Sequence, residues 1–578
     1  MSAIIYYDGD CPFCARYAEL VSLRESVGDV TLANLREDLA TRRELESEGF
    51  DLDVGMVVEH DGTRRGGAEA ARWLAVMSGG SRPFDRLNRA ALGSPLGSKL
   101  VYPLLRAGRW LALLALGRDT ITDPEAGTRA RRTLFAMLFA FFSFFHVLNY
   151  WLNYERGFPG PDLLAVAAVA LVLLFRPASV RLLTILMVVS TVSAVIQAPA
   201  QSNHTMVRNV VLLGWWLAFG WAMMRGRTPD ALFRAFAPAG MGALLVMYFF
   251  GIFHKINRDF LDPVTSCATE LWRHMPAPLA AVDGEWMGYL AVYGTFAVEG
   301  GILLALFVRR LRHFAIVAGI GFHLLIGLSG YSMYISFTTL SIALHMLWLN
   351  GEASRAVLDS PEMEAVEAAM RQPVWIGLAF AYAGLAIVAG LYAAYTMLSL
   401  LLLPLILPVL YVVVRRGGTD APLIGRGDRP GLAIGAVVSA LFFANCALPY
   451  FGSKSAQAVN MFANLRLEGG RSNHLVVRDV GPYTYLDEIA VIHDADPELG
   501  LDVFVDWPDM GVVYYDLLAA LADHPGAEAS FTYEGVRRDG VDAADMREEI
   551  ETRLHPRWVR KWFHFQPAMI SEREVCNL

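Results

Sequence analysis

Alternating and helical hydrophobic periods divide the chain into three zones. Over residues 1–95 the apolar positions alternate in short runs separated by helical ones: Ala3 to Tyr7 predicts a strand, Cys11 to Glu25 a helix and Val30 to Leu35 a second strand. A charged helix is expected from Glu37 to Glu48, then a hairpin of Val54 to Glu59 and Thr63 to Gly66 around Asp61-Gly62, then a helix from Ala68 to Met77. The order βαβαββα predicts a small α/β domain. Residues 96–132 form a basic, half-apolar connector suited to a membrane surface. Between Thr133 and Pro449 the chain turns apolar all round in eleven windows: 133–151, 162–175, 178–196, 207–224, 237–253, 286–308, 313–328, 331–349, 374–391, 394–414 and 430–449. Most approach the ~20 residues of a spanning helix, so residues 133–449 predict a polytopic helical bundle. Residues 450–578 become polar again, with turn signals at Glu468-Gly469-Gly470, Asp506-Trp507-Pro508 and Asp539-Gly540, and predict a soluble, mostly β domain that includes a strand at Leu501 to Val505.

Composition agrees with a membrane protein and removes other classes. Mean hydropathy is +0.38 and only 18% of residues are charged. A net charge of −8 leaves no basic excess for nucleic acid, and five cysteines in 578 residues build no disulfide framework. No basic stretch precedes an apolar core at the start, so the N-terminus is expected in the cytoplasm. The basic residues of alternate connections, near Arg176, Arg227, Arg310, Arg355 and Arg416, join the connector on one side. The bias predicts a plasma-membrane protein with a cytoplasmic N-terminal domain, the segments around His204, Lys255 and Tyr331 facing outward, and an exoplasmic C-terminal domain if the number of spans is odd; merging the two windows of 374–414 would put the tail inside. Cys267, Cys446 and Cys576 then share the outer side, and spacing selects no pair among them.

Cys11-Pro12-Phe13-Cys14 falls between a predicted strand and a predicted helix, where helix N-terminal amides stabilise a thiolate and the second cysteine lies one turn behind the first. This spacing suits dithiol exchange. Zinc needs four ligands, and no second Cys or Cys/His pair lies in the domain, so no metal is expected. The run Tyr7-Asp8-Gly9-Asp10-Cys11-Pro12-Phe13-Cys14, with Gly67-Ala68-Glu69-Ala70 downstream, resembles the DCC family of thioredoxin-like thiol-disulfide oxidoreductases, over about 115 residues that include Tyr102-Pro103 and Arg106 to Arg109. The resemblance implies that Asp8 belongs to the site, that Cys11 attacks and that Cys14 resolves, in exchange with a thiol partner. Gly55-Met56 stands where a thioredoxin carries a cis-proline.

Only four of 49 basic residues are lysines, Lys99, Lys255, Lys454 and Lys561, so a lysine at the end of an apolar window is a pointed choice. Lys255 ends the fifth window, and Ser202-Asn203-His204-Thr205 falls at the same end of the fourth. A desolvated lysine beside a histidine can act as a base; the bland alternative is a lysine snorkelling to the interface. The stretch with Lys255, Asp259 and Phe260, together with Asn203-His204-Thr205, resembles the vitamin K-dependent gamma-carboxylase family, the HTTM membrane domain, over about residues 130–350. What this implies is a neutral Lys255 as base, supported by His204, acting on reduced vitamin K or menaquinone hydroquinone. Asn203, Glu299 and His323 would be cofactor-binding, and the acceptor a protein or peptide glutamate. For His323 and His146 taken alone, an interhelical hydrogen bond is an equal reading. In the tail, Lys454, Asn464, Asn473 and His474 fit either the mouth of the same outward cavity or a plain turn and strand start. The rival from another class is a membrane transporter or lipid- or quinone-binding protein with a regulatory CxxC domain.

Overall fold

A computed structural model describes the chain except residues 1, 21–26, 79–81, 119–120, 122–124, 155–159, 199–201, 329–333, 393–405, 419–422, 424–428, 471, 508, 561–562, 571–575 and 577–578. The expectations for Tyr331, for residues 394–405 and for the end of the first helix lie outside the described residues.

The N-terminal pattern folds as predicted. Strands β1 (Ser2–Tyr7), β2 (Asp29–Asn34), β3 (Val57–His60) and β4 (Thr63–Gly66) form a sheet of order β2-β1-β3-β4, with β1 parallel to β2 and the other pairs antiparallel. The β3–β4 hairpin turns at Asp61 and Gly62, both at positive φ, as a two-residue loop matching strand twist requires. Helices α1 (Pro12–Leu20), α2 (Leu39–Ser47) and α3 (Gly67–Met77) complete a thioredoxin-like α/β unit, followed by α4 (Pro83–Leu92). The basic connector begins as a long helix, α5 (Pro95–Leu116). Ser94 caps it by accepting from the Gly97 N–H, and Gly117 at φ 67° ends it. It packs on α3 and α4 on one side and on the bundle on the other.

In the bundle, α6 (Ala126–Tyr154), α7 (Pro161–Phe175), α8 (Val180–Gln197), α9 (Asn203–Arg225) and α10 (Pro229–Phe253) come first, and α10 packs against α9 and Arg429–Ala447. The expectation of eleven spanning helices is corrected, among the described residues, to six long and apolar enough to cross a membrane: Ala126–Leu148, Val180–Gln197, Asn203–Arg225, Pro229–Phe253, Glu285–Phe307 and Arg429–Phe451. Among the described residues, the windows at 162–175, 313–328 and 331–349 give helices that are apolar but short. The 15 residues of α7 rise only about 23 Å, below the ~30 Å of a bilayer core, and Arg312–Gly327 and Ile335–Met346 are similar.

The C-terminal expectation also needs correction, because residues 450–578 are not mostly β. Ser453 to Leu467 make an irregular segment, buried along almost its whole length against the bundle. A mixed α/β unit follows: β5 (Ile489–Ala495), β6 (Met510–Val513), β7 (Ala529–Tyr533), β8 (Val536–Val541) and β9 (Ala568–Met569) in the order β8-β7-β5-β6-β9, with helices Tyr514–Asp523 and Arg547–Arg553. The run at Leu501 to Val505 forms a short 3-10 turn, Asp502–Phe504, instead of a strand. A disulfide joins Cys267 to Cys576 across 309 residues, and Cys446 is free and buried. This is the pair that spacing alone did not select.

Candidate functional site

The CxxC lies where β1 gives way to α1. The Cys11 N–H donates to the Asp8 carbonyl at 3.1 Å, closing the turn that leads into the helix, and the Cys14 N–H donates to Cys11 Sγ at 3.1 Å. Asp8 is buried and held from two sides: Arg36 Nε reaches Oδ1 at 2.9 Å and Arg109 Nη2 reaches Oδ2 at 2.8 Å. Arg109 also donates to the Asp53 carbonyl, so α5 and the loop before β3 are tied to the same point. The hydrogen bond from Cys14 brings the Cys11 thiol down to about 7, against the upward pull of burial and with help from the Arg109 charge. The reciprocal hydrogen bond and burial push Cys14 upward. One thiol is set to ionise and the other to stay protonated.

Cys11 is 0% exposed, under a lid made by Leu113 of α5 with Tyr7 and Met56. Met56, which stands where a thioredoxin carries a cis-proline, thus packs against the two cysteines. Gly55 beside it is required by packing, because a Cβ there would meet Tyr102 Oη at 2.0 Å, and that hydroxyl donates to the Val54 carbonyl at 3.1 Å. Arg36, Arg109, Tyr102 and Leu113 are the site's partners that motif spacing did not assign a role. Arg109 stands 101 residues from Asp8, and its only sequence signal was its inclusion in the stretch resembling the DCC family.

The second candidate site lies at the other end of α10. Lys255 Nζ is bound by both oxygens of Glu299, at 2.9 and 2.7 Å, and stands 5.7 Å from the centre of the Phe260 ring. Lys255, Glu299 and Phe260 are thus brought together. Asp259 instead receives Asn473 Nδ2 at 2.8 Å and faces Arg466 at 3.4 Å. His204 joins His146 at 3.3 Å and Ser202, and no direct hydrogen bond links it to Lys255 among the described residues. His323 shares the Tyr248 hydroxyl with His345, at 3.0 and 3.1 Å, an interhelical hydrogen bond of the kind expected from sequence. Asn203 Oδ1 accepts from the Val459 N–H at 2.8 Å.

That last contact belongs to a set. His254 donates to the Ala458 carbonyl at 2.9 Å, Asn445 to the Gln457 carbonyl at 2.9 Å and Asn257 to the Ala463 carbonyl at 2.6 Å. Bundle side chains so satisfy the backbone of the buried segment, which holds Gln457, Val459, Phe462 and Asn464 at positive φ. For a β-branched residue such as Val459 that conformation is costly and persists only where the surroundings over-determine it. Lys454 is buried there with Asn445 Oδ1 at 3.0 Å, and desolvation lowers it to about 8. His474 Nε2 donates to the Phe253 carbonyl at 2.9 Å, and Asn464 accepts from the Cys267 N–H. Asn464, Asn473 and His474 therefore pack against the Lys255 segment, His474 facing Asn257 in an isolated β-bridge, and no strand starts there among the described residues.

As arranged, Lys255 Nζ is engaged by both oxygens of a buried carboxylate. The residues present do not fit a neutral-lysine base facing a hydroquinone, and no step through a quinone is derived from them. No group of three or more His, Cys, Asp or Glu suited to a metal ion occurs among the described residues.

Residues 5–111 match the family described as DCC1-like thiol-disulfide oxidoreductase, a span that runs from β1 into α5 and includes Arg109. No curated protein and no solved structure matches the chain.

Proposed function

We propose that the protein is a membrane-anchored thiol-disulfide oxidoreductase in which Cys11 is the attacking thiolate and Cys14 the resolving thiol. The domain at residues 5–111 is of the DCC1-like oxidoreductase type, and six helices suited to a membrane follow it. The observation that carries the roles is the asymmetry of the pair: Cys11 is brought near neutrality and Cys14 is pushed up, beside the buried Arg109–Asp8 ion pair. Cys11 attacks a partner disulfide, one partner sulfur leaves as thiolate, and Cys14 then displaces the second to leave Cys11–Cys14 oxidised. The Leu113 lid must shift to admit the partner. The dithiol end is assigned to the cytoplasm. A disulfide at Cys267–Cys576, close to Lys255 and far along α10 from the CxxC, fits an oxidising outer compartment.

The test traps mixed disulfides on the full chain in detergent. Cys14→Ser is expected to accumulate a covalent adduct with a disulfide substrate through Cys11, and Cys11→Ser to lose turnover entirely. A Cys11→Ser protein that exchanges dithiols like wild type would end this assignment.

A further inference from the structure

A cavity of about 830 Å³ opens at the end of the bundle that carries the CxxC domain. It is large for a small-molecule site, which commonly spans ~300–1,000 Å³. Its interior is a greasy wall built by α6 and α7, with Phe141, Phe144, Leu171 and Leu174 facing in. Its rim is arginine-rich. Arg132 is neutralised by Asp230, Arg227 faces Asp51 and Arg109 holds Asp8. Arg129, at the start of α6, and Arg176 and Arg181, flanking the turn between α7 and α8, have no carboxylate partner among the described residues. Three exposed cations therefore ring a pocket whose depth is apolar, a pattern that calls for an anionic head on a long hydrocarbon chain.

We propose that this cavity is a binding site for a phosphate-headed membrane lipid, its headgroup among Arg129, Arg176 and Arg181 and one chain laid along Phe141, Phe144 and Leu171. Guanidinium groups pair with phosphate oxygens through two parallel donors, and the mouth lies at the bundle end where headgroups of a surrounding bilayer would stand. Arg109 and Leu113, the residues that hold Asp8 and cover Cys11, line the cavity near its rim, so the headgroup end of the site borders the residues that cover the dithiol. This inference is independent of the dithiol chemistry and of the Lys255 reading.

The experiment equilibrates the full-length protein in neutral detergent with dioleoyl phosphatidylglycerol or dioleoyl phosphatidylcholine and counts the retained lipid by native mass spectrometry. Phosphatidylglycerol should be retained through a wash that strips phosphatidylcholine. Arg176→Gln with Arg181→Gln should weaken retention about tenfold or more, while the two Lys substitutions, which keep the charge and lose the paired donors, should weaken it less. Leu171→Trp, which fills the chain path and leaves every charge in place, should also weaken it, so the site stays testable if the double variant fails to fold. Equal retention of both lipids, no loss in the Gln variants, or full displacement by inorganic phosphate with no effect of Leu171→Trp would each overturn the proposal.

Discussion

The two candidate sites use the same device, a carboxylate buried with a cation, to opposite effect. At the dithiol end Arg109 and Arg36 hold Asp8, and the reactive group is a third party, Cys11, in the field of that pair. At the far end Lys255 is itself half of the pair, with both Glu299 oxygens on its ammonium. One arrangement leaves a nucleophile poised beside a satisfied ion pair; the other consumes the very group that would react. The 25 residues of α10 put about 37 Å between the level of Asp230 and that of Lys255, so the two cannot share a proton or an electron directly. A buried ionisable residue is thus evidence of function only after its partner has been counted.

The largest effect is expected at the Lys255 end. Glu299→Gln leaves a buried ammonium without its counter-charge and should destabilise the fold by about 3–5 kcal/mol, seen as a lowered thermal midpoint in detergent. Replacing both partners, Lys255→Met with Glu299→Met, should recover most of that loss, since an apolar pair carries no uncompensated charge. A double variant as unstable as the single one would mean that Lys255 has another indispensable contact. Next comes the disulfide that closes the same end: Cys267→Ser is expected to cost about 2–4 kcal/mol, whereas Cys14→Ser at the dithiol end should leave stability nearly unchanged. Equal losses would make the CxxC a structural pair as well.

What could be read from the sequence follows how locally each feature is encoded. The thioredoxin-like order and the CxxC are written in short periods and a four-residue spacing, and β1 to α3 appear within a few residues of their expected bounds. Arg109 and Leu113 were hidden because they approach Asp8 and Cys11 only when α5 folds back across the domain. The segment Ser453 to Leu467 misled more deeply. Its polar composition signals a surface, yet it is buried, because Asn203, His254 and Asn257, 200 residues or more away in sequence, satisfy its backbone. Hydropathy counted eleven apolar windows correctly as helical in the described parts but could not show that several are too short to cross alone.

The smallest expected effects sharpen the dithiol half of the comparison. Alkylation of Cys11 by a small maleimide or iodoacetamide, small enough to pass the Leu113 lid, should rise with pH through about 7, because the thiolate is the reacting form. Arg109→Gln removes the cation that favours that thiolate and should slow alkylation at pH 7 by about tenfold, moving the midpoint upward. Arg36→Gln should slow it less than about threefold, since Arg36 is partly exposed and its attraction is screened by water. Both variants take a positive charge from Asp8, but only Arg109 lowers the Cys11 thiol directly. If Arg36→Gln proved the slower of the two, the ion pair would be acting through the position of Asp8 and the turn to Cys11, and the electrostatic account of the thiolate would give way to a conformational one.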